Sequence, residues 1–135
     1  MDIDESLHLI LAHKENVVSL FYTLFLERHP EARAYFRGVD LQHQADLLRL
    51  ALVLIERHAS HPDPALEAYF QDLGAKHHWR GIPEALFPEF RDALLRTLEQ
   101  FHGKDWGPPL AAQWQQALDR AVESMREGYR EPAPV

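Results

Sequence analysis

Nine histidines in a chain of 135 residues, with no cysteine, set the chemistry this sequence can offer. Imidazole binds metals and carries protons near neutral pH. The absence of cysteine removes disulfides, thiolate metal sites, iron–sulfur clusters and a cysteine nucleophile. His8, His13, His29 and His102 fall on polar or boundary positions and read as solvated surface side chains. His58 and His61 lie three residues apart at a helix end and in a loop, but no third ligand is near them, so that spacing reads as incidental. His43 and His77 differ, because each continues an apolar stripe of helical period: His43 with Leu47, Leu50 and Leu54, and His77 with Leu66, Phe70 and Leu73.

One histidine on such a stripe is ordinarily a core residue bonded to a backbone carbonyl. Two on separate helices, with Tyr22 as the other polar core candidate, ask for more, since an imidazole buried without a partner costs about 1–3 kcal/mol. A pocket of two imidazoles, one phenol and many aromatic and aliphatic side chains suits a flat apolar cofactor with a metal centre, a haem. His78 is the rival to His77 as a ligand, but it points about 100° further around the helix, off the stripe.

The elements that must position these residues are helical throughout. A first stretch runs from about Asp4 to His29 through Leu7, Ile10, Leu11, Val17, Val18, Phe21, Leu24 and Phe25, with a break expected near Lys14–Asn16 and a stop before Pro30. A short turn, Glu31 to Phe36, leads to Gly38. A second long helix starts near Asp40, and Ser60 to Pro64 reads as a loop. The helix carrying His77 ends at Gly81. Two C-terminal helices follow, one with Phe87, Phe90, Leu94, Leu98 and Phe101 inward, the other opened by Pro108–Pro109 and carrying Leu110, Trp114, Leu118 and Met125. No stretch alternates with period two as a strand would. The expected class is all-α, with six to seven helices of unequal length, a shortened first helix, and steep crossings around a pocket rather than an up-down bundle.

At 46% hydrophobic and 26% charged residues the chain has the balance of one folded domain, expected over residues 1–130 with 131–135 a short proline-containing tail. A formal net charge of -7 disfavours nucleic acid and anionic membrane surfaces as partners. The acidic start Met-Asp-Ile-Asp-Glu lacks the basic region of a signal peptide, and no apolar stretch reaches membrane-spanning length, so a cytoplasmic protein is expected. Nothing in the sequence sets an oligomeric state.

From about Ser6 to Tyr129 the chain resembles the single-domain bacterial haemoglobins and the haem domain of flavohaemoglobins. Four pieces carry the resemblance: Phe21-Tyr22 with Leu24, Phe25 and His29-Pro30-Glu31; Phe36, six residues beyond Pro30; Lys76-His77 with Gly81 four residues later; and Phe87-Pro88, Gly103 and Trp114 in order. The resemblance implies a globin fold and one haem b, with His77 as proximal iron ligand through Nε2. The other nitrogen of His77 would then donate to a carbonyl near Leu73, and Leu73, Phe87 and Phe36 would contact the macrocycle. It places the Tyr22 hydroxyl in the distal pocket, His43 facing the sixth coordination site as a donor or as a sixth ligand, and Leu47 as the apolar wall one turn on. Many bacterial relatives have glutamine at the His43 position, and Gln42 or Gln44 are the register alternatives.

The activity implied is reversible binding of O2, CO and NO at ferrous iron, as an oxygen carrier, store or scavenger. A nitric oxide dioxygenase working with an external reductase and a haem-based sensor acting through a partner are the alternatives. One departure bears on them. In flavohaemoglobins and close kin a tyrosine and a glutamate behind the proximal histidine form a hydrogen-bonded network, whereas the matching positions here hold Phe87 and Tyr129, and Leu118 replaces a further tyrosine. That weakens the expectation of enzymatic turnover, and no flavin reductase domain is expected in the chain.

Overall fold

The computed structural model describes residues 1–130. Six α-helices account for most of it: α1 Ile3–Ala12, α2 Lys14–Arg28, α3 Leu41–Ser60, α4 Pro64–Trp79, α5 Leu86–His102 and α6 Pro108–Gly128, with short 3-10 segments at Pro30–Phe36 and Gly103–Asp105. No strand occurs among the described residues. The expected break in the first stretch is a sharp corner at His13, where α1 and α2 meet at 95°. The proposed tail, 131–135, lies outside the described residues.

Local chemistry accounts for the helix starts. Asp2 and Glu5 cap α1 reciprocally: Glu5 N–H donates to Asp2 Oδ1 at 2.8 Å and Asp2 N–H to Glu5 Oε1 at 3.3 Å. Asp40 caps α3 by accepting from the Gln42 amide at 2.9 Å, and Asp63 caps α4 by accepting from the Ala65 amide at 2.7 Å. Pro64 and Pro108 each open a helix at a position whose N–H has no intrahelical partner.

Phe21, Leu52, Phe70, Leu94, Leu98, Leu110, Trp114 and Leu118 form the fully buried centre. α6 runs through the middle and packs against α3, α4 and α5. Its approach to α4 is backbone to backbone. A Cβ on Gly74 would lie 1.9 Å from the Met125 carbonyl oxygen, and one on Gly128 would lie 2.1 Å from that of Gln71. α3 and α4, although consecutive, scarcely touch. The two helices carrying the candidate residues are thus held apart on a shared support. No single helix among the described residues is long and apolar enough to cross a membrane.

One histidine overturns the surface reading, and another, His58, is buried as well. His102 is buried, with Nε2 at 2.6 Å from Ser6 Oγ, which also accepts from Trp114 Nε1 at 2.9 Å. His58 is buried against Phe70, with ring centroids 5.7 Å apart, and joins no metal-binding group among the described residues. His29 is half-buried rather than solvated, and His8 and His13 are exposed as expected.

Candidate functional site

His77 sits in the last turn of α4, half-buried. Its Nδ1 donates to the Leu73 carbonyl oxygen one turn earlier, at 2.7 Å, and this is the only hydrogen bond of the ring among the described residues. The bond fixes the tautomer: the proton is on Nδ1 and the lone pair on Nε2. Burial lowers the imidazole pKa below the usual value, more than the Leu73 bond raises it, and the nearby Arg80 lowers it further. The ring is therefore neutral at pH 7. Phe87, at the start of α5, stands behind it with ring centroids 6.0 Å apart. Neither Phe87 nor Tyr129 bonds the ring, and the Tyr129 hydroxyl donates instead to the Ile82 carbonyl at 2.6 Å.

A second group forms around Tyr22 on α2. The ring is half-buried and stands edge-on to Phe21, at 5.1 Å, and to Phe36, at 5.5 Å. The 3-10 segment after Pro30 delivers Phe36 to that contact. Burial raises the phenol pKa, and the neighbouring Gln44 side chain offsets this in part, so Tyr22 keeps its proton. Tyr22 also borders an open cleft of about 670 Å³ walled by Val18, Leu26, Phe36 and Ala45.

The register of α3 differs from the expected one by a residue. His43 is exposed, and Leu47 is 44% exposed, whereas Leu48 is 5% exposed. The buried line of the helix is Leu48, Leu52, Ile55 and His58, at steps of four, three and three. Continued backward by four it reaches Gln44, the residue that meets Tyr22. The His43 line is the neighbouring flank, about 100° away. His43 and Leu47 therefore lie on the exposed flank of α3, while Gln44, one of the two register alternatives, and Leu48, which sequence reasoning counted only as widening the buried face, lie on its inner line. The three-and-four spacing from Leu48 to Ile55 was the signal available.

The structure brings together Tyr22, Phe36 and Gln44 on one side, and Leu73, His77 and Phe87 on the other. No hydrogen bond or ring contact joins the two groups. The donor set fits a haem: a neutral imidazole whose Nε2 lone pair has no protein partner, on a helix held apart from the one bearing the second group.

A family model described as Globin matches residues 19–125. The chain belongs to the globin family. It is 40% identical over 62 residues to Globin CTT-II beta of Chironomus thummi thummi, across 46% of this chain and 38% of that protein. To Leghemoglobin-1 of Lupinus luteus it is 26% identical over 125 residues, covering 84% of this chain and 81% of that protein. To Globin CTT-Z of Chironomus thummi piger it is 30% identical over 126 residues, covering 83% and 76% respectively. Globins bind haem and, at it, small diatomic ligands such as oxygen. In this globin the matched span includes Tyr22, Phe36, Gln44, His77 and Phe87.

Proposed function

We propose that this globin binds dioxygen reversibly, and CO and NO likewise, at a ferrous haem b held by His77, as a cytoplasmic oxygen carrier, store or scavenger akin to the single-domain bacterial haemoglobins. The observation that carries the reading is the 2.7 Å bond from His77 Nδ1 to the Leu73 carbonyl, which turns a bare Nε2 lone pair outward from the helix. When bound, the haem would supply the ferrous iron that takes the diatomic ligand. His77 holds it and, being neutral, loses no proton in doing so. Leu73, Phe87, Phe36 and Leu48 supply apolar contact and exclude water.

Tyr22 and Gln44 are the donors on the ligand's side. A ligand carrying partial negative charge in a dry pocket is stabilised by such a donor by about 1–3 kcal/mol, roughly ten- to a hundredfold in affinity. A carboxamide is a poor ligand for ferrous haem, so Gln44 leaves the sixth position open where an inward histidine would compete for it. On the proximal side, among the described residues, nothing accepts from His77 except a neutral carbonyl. The imidazole is not made more electron-donating by a charged partner, which favours binding over turnover.

Optical spectra of the ferric, ferrous and CO forms test the reading. A five-coordinate ferrous spectrum that converts to a CO form, and that His77→Ala loses, is expected. A protein that takes up no haem, a six-coordinate ferrous spectrum, or a His77→Ala spectrum like wild type overturns it. Sustained nitric oxide consumption with an external reductase would move the assignment to a dioxygenase.

A further inference from the structure

Val18, Tyr22 and Leu26 step by four along α2 and form an apolar line, with Glu15, Ser19 and Glu27 on the exposed flank beside it. α3 contributes Leu41 and Ala45, one turn apart, and the 3-10 segment contributes Phe36 and Arg33. These residues line the open cleft of about 670 Å³. Ala45 ends at Cβ, so α3 leaves this space unfilled. Leu41, at the mouth, is 64% exposed, whereas Val18, on the floor, is 7% exposed. The rim carries two carboxylates, Glu15 and Glu27, against one guanidinium, Arg33. An acidic rim repels anions, and apolar walls offer them no hydrogen bond in place of lost hydration. An uncharged diatomic gas has little hydration to lose, and apolar space takes it up.

We propose that this cleft is the path by which an uncharged diatomic ligand passes between solvent and the distal side of the haem, with the Tyr22 ring as the door at its inner end. The proposal rests on the reading of Tyr22 as the donor to a ligand bound opposite His77. Tyr22 belongs to both regions: its ring lines the cleft, and Gln44, on the inner line of α3, neighbours its hydroxyl. Two edge-on contacts hold the door, Phe21 at 5.1 Å and Phe36 at 5.5 Å. Phe21 is buried, while Phe36 is half-buried and lines the cleft itself, so the ring yields on the Phe36 side. Ser19 on α2 and Ala45 on α3 line the passage with side chains too small to narrow it. A barrier on a shared route is crossed on entry and again on exit. Narrowing the cleft therefore slows both directions alike and leaves the affinity where it was.

The test narrows the cleft from each wall in turn, with Ser19→Trp and Ala45→Trp, both checked by circular dichroism. Laser photolysis of the CO form gives the association rate, and displacement of CO by NO gives the dissociation rate. Each variant is expected to slow entry and exit together by about three- to tenfold, with CO affinity within about twofold of wild type. Dissolved xenon, a probe of apolar space, supplies a readout that does not depend on ligand binding. In the CO form of wild type it should shift the methyl resonances of Val18 and Leu26, and in Ala45→Trp it should not. Association within about twofold of wild type in either folded variant overturns the proposal, and so does a change in dissociation alone. Val18 and Leu26 methyls that ignore xenon in wild type overturn it as well. A protein that takes up no haem fails the reading of His77 and the path with it, whereas unslowed rates in a haem-binding protein fail the path alone.

Discussion

Ser6 and His102, 96 positions apart, are joined by a buried hydrogen bond of 2.6 Å that ties α1 to the end of α5. Ser6 Oγ already accepts from Trp114 Nε1, so its own proton is free for His102 Nε2. The ring is then protonated at Nδ1, a buried atom with no partner. One hydroxyl thus serves two side chains that cannot serve each other. Ser6→Ala is expected to destabilise the fold by about 1–3 kcal/mol, the cost of leaving buried polar groups unpartnered. A fall in the urea midpoint with unchanged slope would show it, and a midpoint within experimental error of wild type would mean that the network contributes nothing.

Acid should weaken this fold by way of its buried histidines. Burial lowers the pKa of His58, His77 and His102 below the usual 6.5, with Arg120 adding to the effect at His58 and Glu67 opposing it, and Asp105 opposing it at His102. The unfolded chain binds these protons more readily than the folded one. Stability is therefore full above about pH 6.5 and falls as pH drops through and below that value. Haem-free protein should show the acid limb in urea midpoints measured between neutral and mildly acidic pH. His58→Leu should make the limb shallower, and an unchanged limb would remove His58 from this account.

The helices were legible because proline, glycine and capping aspartates punctuate a chain whose apolar spacing is otherwise continuous. The relation between His77 and Leu73 was legible for the same reason, since residues four apart on a helix are neighbours whatever surrounds them. His102 was not. Its burial depends on Ser6 and Trp114, and nothing within its own helix signals a partner brought in from the other end of the chain. The inner face of α3 was only half legible. His43, Leu47, Leu50 and Leu54 make as regular a stripe as Gln44, Leu48, Leu52 and Ile55, and only packing chooses between flanks of a helix this apolar.

The close seam between α4 and α6 should tolerate no side chain. Gly74→Ala would drive a methyl against the Met125 carbonyl and Gly128→Ala one against that of Gln71, and in both cases the obstacle is backbone that cannot rotate away. Each is expected to cost about 3 kcal/mol or more, at the upper end for overpacked sites. Thermal melts of the two variants check this. Because α4 carries His77 three residues beyond Gly74, Gly74→Ala should also lose haem faster to an excess acceptor apoglobin. A stable variant with wild-type haem retention would mean that the helices can slide apart without disturbing the imidazole.

The α3 register makes opposite forecasts for adjacent residues. Gln44 lies beside the Tyr22 hydroxyl, whereas His43 lies exposed on the flank. Tyr22→Phe keeps the ring against Phe36 and removes only the donor, so O2 dissociation should accelerate about ten- to a hundredfold if the phenol donates to the ligand. Gln44→Leu removes the second donor and the partner that orients the first, and should act in the same direction. His43→Leu should leave the rate within about twofold, because a solvated imidazole has no differential contact with the bound ligand. Stopped-flow displacement of O2 by CO measures all three. A large effect at His43 with none at Gln44 would mean that α3 turns by one residue when the haem is in place, restoring the flank that the wide apolar stripe also permits.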